Sequence, residues 1–138
     1  MTEAIVATLA ALALASIAGW LVTRRAGHIR TVDPGSGGEL DTSDLGLSRT
    51  GPTVVHFSAP WCSPCTRVRG VVTEVCGNLR DVAHVEIDLE TNPRAAQNLS
   101  VLSLPTTFIF DAEGRQRYRT AGVPKADDLR SVLTPLLA

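Results

Sequence analysis

The chain has 138 residues, 44% of them apolar and 4% aromatic, with a formal net charge of −1 and three cysteines. That length suits one compact domain, and the balanced charge excludes an electrostatic nucleic-acid binder. Three cysteines are too few, and of the wrong parity, for a disulfide-stapled scaffold.

The apolar residues are unevenly spread. Ala4 to Thr23 is a run of twenty uncharged residues, seven of them Ala, and about twenty residues are what a helix needs to cross the hydrocarbon core. Residues 1–3 then form a short tail and 4–23 a transmembrane helix, with Trp20 near one end where an indole suits the interface. A cleaved signal peptide or a buried core helix are the alternatives. A signal peptide carries a basic start, which Met1-Thr2-Glu3 lacks. Arg24, Arg25, His28 and Arg30 follow the span, and positive flanks stay inside. The reading is therefore a single-pass protein of the cell membrane with its domain on the cytoplasmic side.

Thr31 to Gly38, TVDPGSGG, reads as a flexible tether. Residues 24–38 are thus a basic flank and linker, and 39–138 one domain. Glu39 to Pro52 is polar and fits a short strand or a single helical turn. Thr53–Ser58 is a buried strand by its β-branched, apolar run. A helix from about Cys62 to Leu79 follows, with Val68, Val71, Val72, Val75 and Leu79 on one stripe. Cys76 falls on the same stripe, as a small packing residue. Ala83–Asp88 is a second strand, with His84 near its start as a solvated side chain. Asn92 caps a short helix from Pro93 to Leu99. Thr106–Asp111 and Gln116–Thr120 form a hairpin around Ala112-Glu113-Gly114, and a last helix from about Lys125 to Leu137 turns Leu129, Val132, Leu133 and Leu136 inward. This βαβαββα order predicts an α/β fold with a mixed central sheet and helices on both faces.

The chemistry lies at Trp61-Cys62-Ser63-Pro64-Cys65, where the first strand passes into the helix. Two cysteines three apart at a helix start can bridge within the first turn. The unpaired N–H groups and dipole of that helix end stabilise a Cys62 thiolate, and Cys65, one turn inward, is placed to resolve a mixed disulfide. The same CxxC is also half of a zinc site, but four ligands need a second pair, and only Cys76 and three scattered His remain. No metal or organic cofactor is expected.

VVHFSAPWCSPC, Asn92-Pro93, the LPTTFIF beginning at Leu104, the Glu113-Gly114 turn and Ala121-Gly122 occur in this order over Thr53–Ala138. Together they resemble the thioredoxin family. The resemblance implies the thioredoxin fold and thiol–disulfide exchange on protein disulfides, with Cys62 as nucleophile and Cys65 as resolving thiol, paired as a redox disulfide. It also implies a cis-proline at Pro105, for which an ordinary edge-strand proline is the alternative. Trp61, Leu104, Pro105, Gly122 and Val123 would then form the substrate groove. A reductase of the thioredoxin-reductase type would recharge the dithiol, and the protein would work as a monomer.

Departures from the family sharpen the site. His56 stands where the resemblance would put a buried acid, and Glu86 where it would put a neighbouring lysine. The expectation is a His56–Glu86 contact in which one partner relays a proton for Cys65. The alternative is a satisfied core histidine with Glu86 in solvent. Gly70 replaces a helix-kinking proline, Ser63 a glycine and Ser58 a tryptophan. Two other functions fit the same residues: an extracytoplasmic member serving secreted proteins or cytochrome c maturation, and a redox-inert binding module using the same groove.

Overall fold

The computed structural model describes residues 1–33 and 41–138. The expected tether from Pro34 to Gly38, and the expected domain start at Glu39-Leu40, lie outside the described residues. The first element, α1 (Thr2–Arg24), has no buried residue. It is long and apolar enough to cross a membrane, a test that a signal sequence also passes. Thr8, Ser16 and Thr23 donate back one turn, Thr8 to the Ala4 carbonyl at 2.8 Å, Ser16 to the Leu12 carbonyl at 2.8 Å and Thr23 to the Gly19 carbonyl at 2.9 Å, so these three carry no unmet donor into an apolar surround. At the far end the Arg24 guanidinium lies 3.6 Å over the Trp20 ring.

Immediately after α1 the chain docks on the domain. Gly27 takes φ +85°, and a Cβ there would sit 2.2 Å from the Val123 carbonyl oxygen, so only glycine fits. Its N–H donates to the Ala121 carbonyl at 2.6 Å. A two-residue strand follows, β1 (Arg30–Thr31), pairing Arg30 with Arg119 and Thr31 with Tyr118; Val32 N–H extends the contact to the Arg117 carbonyl at 2.9 Å. Thr31 and Val32, expected in the tether, thus form part of the sheet edge. The short polar flank has no alternation to betray a strand, because backbone bonds alone make it one.

The other strands are β2 (Thr53–Ser58), β3 (Ala83–Asp88), β4 (Thr106–Phe110) and β5 (Gln116–Ala121). Their order is β1-β5-β4-β2-β3, with β2 and β3 parallel and the remaining pairs antiparallel. All of β2 is buried, since it lies between two strands and under helices on both faces. On one face Val55, Phe57, Phe108 and Phe110 pack with Ile87, Ala96 and Leu99, beneath α3 (Pro93–Asn98). On the other, Val54 and Ile109 meet Val68, Val72 and Val75 of α2 (Ser63–Asn78) and Leu129 and Leu133 of α4 (Ala126–Leu133). The mixed sheet between helices matches the expected architecture.

Some boundaries differ for identifiable reasons. Cys62 is the cap of α2 and outside the helix proper, with extended backbone, while Leu79 closes its end; α2 runs unbroken through Gly70. Residues 41–52 contain a single 3-10 turn, Ser43–Leu45, which buries Leu45. Asn92 occupies the cap position of α3 without capping it: its amide donates to Thr91 Oγ1 at 2.9 Å. The last helix tightens at Thr134 into a 3-10 turn, because Pro135 has no N–H to continue the α pattern. The hairpin turn is locked from inside by Asp111. Its carboxylate accepts the Glu113 and Arg115 backbone N–H groups and the side chains of Arg115 and Arg117.

Candidate active site

β2 delivers the chain into Ala59-Pro60-Trp61, and the Cys62 N–H closes the turn on the Ala59 carbonyl at 3.0 Å. Cys62 and Cys65 are joined in a disulfide, Sγ to Sγ 2.03 Å, with Cα atoms 5.4 Å apart. Cys62 is 7% exposed and Cys65 2%, so Cys62 is the less buried residue of the pair, as its place before the first helical turn predicts. Ala59 and Leu104 pack against the pair.

Leu104–Pro105 is a cis peptide, and Pro105 is buried. The Pro105 carbonyl accepts the Gly122 N–H at 2.9 Å, tying that loop to the end of β5. Trp61 is 66% exposed, its indole N–H donating to Glu90 Oε1 at 2.9 Å. Exposed apolar surface beside the cysteines is thus real at Trp61 and partial at Leu104. Gly122 and Val123 sit differently from the expected open groove. A Cβ on Gly122 would meet the Gly27 nitrogen at 2.9 Å and the Ala26 methyl at 3.3 Å, and the Val123 carbonyl oxygen lies close against Gly27. The segment after α1 covers this wall. Leu102, 92% exposed, was missed by sequence reasoning; an isolated loop leucine carries no periodic signal.

Behind the disulfide lies a polar cluster. His56, wholly buried on β2, pairs in register with Glu86 on β3. Its Nε2 is 3.7 Å from Glu86 Oε1 and has no hydrogen-bond partner. Nδ1 meets Nε2 of His84 at 2.9 Å, with the rings stacked at 5.0 Å between centroids. Glu86 accepts from Ser58 Oγ at 2.9 Å and Arg69 Nε at 2.7 Å, and Arg69 Nη2 completes a bidentate grip. The Arg69 hydrogen bonds, with that of Ser58 and the nearby charges, outweigh partial burial and hold Glu86 down to about 2. Burial pushes His56 down to about 4 despite Glu86 beside it, and burial also lowers His84.

The expected His56–Glu86 neighbourhood is therefore present, but its form is corrected: His56 is neutral near pH 7, and the carboxylate's ion pair is with Arg69. His84, read as a solvated side chain, is half-buried and bonded to His56. It sits on the same face as Glu86 by strand alternation, a signal the sequence does contain. Arg69, four residues after Cys65, was not singled out. Cys76 is half-buried against the α2–α4 cluster, and burial raises its thiol to about 11, in keeping with a packing role.

Comparison with known proteins agrees with this geometry. A thioredoxin family model matches residues 44–135. The thioredoxin of Chlamydia trachomatis is 29% identical over 85 residues, 62% of this chain and 82% of that protein. A bifunctional thioredoxin reductase/thioredoxin of Mycobacterium leprae is 38% identical over 65 residues, 46% of this chain and 14% of that protein. A thioredoxin variant from Halobacterium salinarum superposes with a TM-score of 0.61 at 27% identity, covering 74% of this chain and 88% of that one. With the cysteine pair, the cis-proline loop and the sheet in place, the chain belongs to the thioredoxin family of thiol–disulfide oxidoreductases.

Proposed function

We propose that the protein is a membrane-tethered reductant of protein disulfides. The observation that carries this is the Cys62–Cys65 disulfide at the start of α2, with Cys62 the less buried of the two and the Leu104–Pro105 loop against it. In the reduced protein the Cys62 thiolate, favoured by the α2 N-terminus, attacks one sulfur of a substrate disulfide. A mixed disulfide forms and the other substrate sulfur leaves as a thiolate. Cys65 gives up its proton and attacks Cys62 Sγ. The mixed disulfide breaks, the second substrate thiolate leaves, and two electrons have passed from the cysteine pair to the substrate. His56, neutral and buried beneath α2, accepts the Cys65 proton, and Glu86 stabilises the imidazolium so formed. Trp61, Leu104 and Pro105 hold the substrate chain, with Gly122 and Val123 contributing only the backbone left open beside Ala26.

A reductase of the thioredoxin-reductase type regenerates the dithiol; the fusion of the two activities in the M. leprae relative supports this. α1 anchors the chain in a single pass, and the arginines after it support a cytoplasmic domain. The protein acts as a monomer and needs no cofactor of its own. Insulin reduction by the dithiol protein tests the chemistry: turnover that disappears in Cys62→Ser is expected, and no turnover with a reduced pair would remove the enzyme reading. Trapping with Cys65→Ser in intact cells tests the rest. Cytoplasmic clients on Cys62 are expected, and secreted clients would reverse the assigned side.

A further inference from the structure

The buried cluster holds a second imidazole that the exchange reaction above leaves unused. His56 is sealed from solvent, so a proton it takes from Cys65 needs a way out. The inward stripe of α2 starts at Cys65 and continues through Val68, Val72 and Val75, and the valines cover Val54. His56 lies two residues further along the same face of β2, toward the Cys65 end. Cys65 Sγ itself lies 3.9 Å from the carbonyl of the adjacent Phe57. On its other side His56 touches His84, through a 2.9 Å nitrogen–nitrogen hydrogen bond between stacked rings, and His84, unlike His56, is only half-buried.

Resting on the reading of His56 as acceptor, we propose that His84 is the positioning residue that connects His56 to water, the two imidazoles forming a proton path between Cys65 and the surface. Each neutral ring carries one N–H and one lone pair, so the pair can exchange a proton without either ring keeping a charge. During resolution the Cys65 thiol proton goes to His56 Nε2. The His56 Nδ1 proton passes to His84 Nε2, and the His84 Nδ1 proton goes to water. The rings end in the opposite tautomers. When the disulfide is next reduced, a proton from water enters at His84 Nδ1 and the sequence reverses, returning one to Cys65. His56 Nε2, 3.7 Å from Glu86 Oε1 and without a hydrogen bond in the disulfide form, is the atom that takes up and returns this proton. The other groups facing His56 do not supply this route. Glu86 is held as a carboxylate by Arg69 and Ser58, Arg69 cannot give up its proton, and Thr107 of β4, paired with His56 in register, offers only a hydroxyl.

The test is the single-turnover rate at which Cys65 displaces a small thiol from Cys62, measured across pH in the full chain held in detergent micelles. His84→Ala should slow this step about tenfold or more, within the range of positioned proton transfer, and flatten its pH profile, while Cys62 attack on the starting disulfide stays unchanged. Added imidazole should restore the His84→Ala rate. His84→Gln, which keeps a hydrogen bond to His56 but passes no proton, should stay slow. A His84→Ala or His84→Gln protein as fast as wild type, while His56→Ala is slow, overturns the path and leaves His56 as acceptor. Full speed in His56→Ala as well removes the acceptor reading beneath it.

Discussion

Lowering the pH should destabilise the domain through His56, by an amount the structure sets. The ring's ordinary pKa of 6.5 falls to about 4 on folding because it is buried. The unfolded chain therefore takes up the proton first. Stability is complete above 6.5, declines as pH drops through that value, and levels off below about 4. At about pH 4.5 an unfolded imidazole is about a hundredfold protonated while the folded one is mostly neutral, which corresponds to about 2.5 kcal/mol lost relative to pH 7.5. With a urea dependence of about 1–3 kcal/mol per molar for a small domain, the unfolding midpoint should fall by about 0.8–2.5 M. The assay is urea unfolding of the oxidised full chain in micelles at both pH values, beside His56→Leu. That variant keeps His84, whose own depressed pKa has the same sign, so its midpoint should move only slightly between the two conditions. Glu86, held down to about 2 from 4.5, adds acid sensitivity mainly below the tested range. Equal midpoint losses in wild type and His56→Leu would refute the burial argument.

Asp111 is 3% exposed and accepts four hydrogen bonds within the β4–β5 turn. Asp111→Ala should cost about 2–3 kcal/mol in chemical denaturation, since it removes the charged acceptor that holds the turn together. Gly27→Ala, at φ +85° and 2.2 Å from the Val123 carbonyl, should undock β1. Hydrogen exchange at Val32 N–H should rise while β2 and β4 amides stay protected. Cys76, its thiol raised to about 11 by burial, should alkylate slowly at neutral pH in the native protein and rapidly in urea; fast native labelling would mean an accessible thiol.

Much of the fold could be read from local pattern. β2 was legible because a β-branched run between turn residues has few other outcomes, and α2 because its valines repeat at helical spacing from the cysteines onward. Cys62 and Cys65 were legible because both the chemistry and its placement depend on residues three apart on one helix end. Asn92 and the end of the last helix at Leu137 misled for local reasons: one carries the right side chain with the wrong geometry, the other lies where an apolar pattern outlasts the α-helix past Pro135.

The sequence by itself determined the apolar α1, the order of strands and helices from β2 onward and the identity of the sulfur pair, because each depends on neighbours within a few residues. Only the tertiary structure decided what crosses between elements. It put His84 against His56, since two strands distant in sequence run parallel with Val54 beside His84 and His56 beside Glu86. It gave Glu86 to Arg69, reached from α2 across the sheet edge. It also laid Ala26 and Gly27 against Gly122, one of the residues expected to line a groove, and paired β1 with β5. That contact is made by backbone hydrogen bonds and the space of one missing Cβ, neither of which leaves a pattern in the order of side chains.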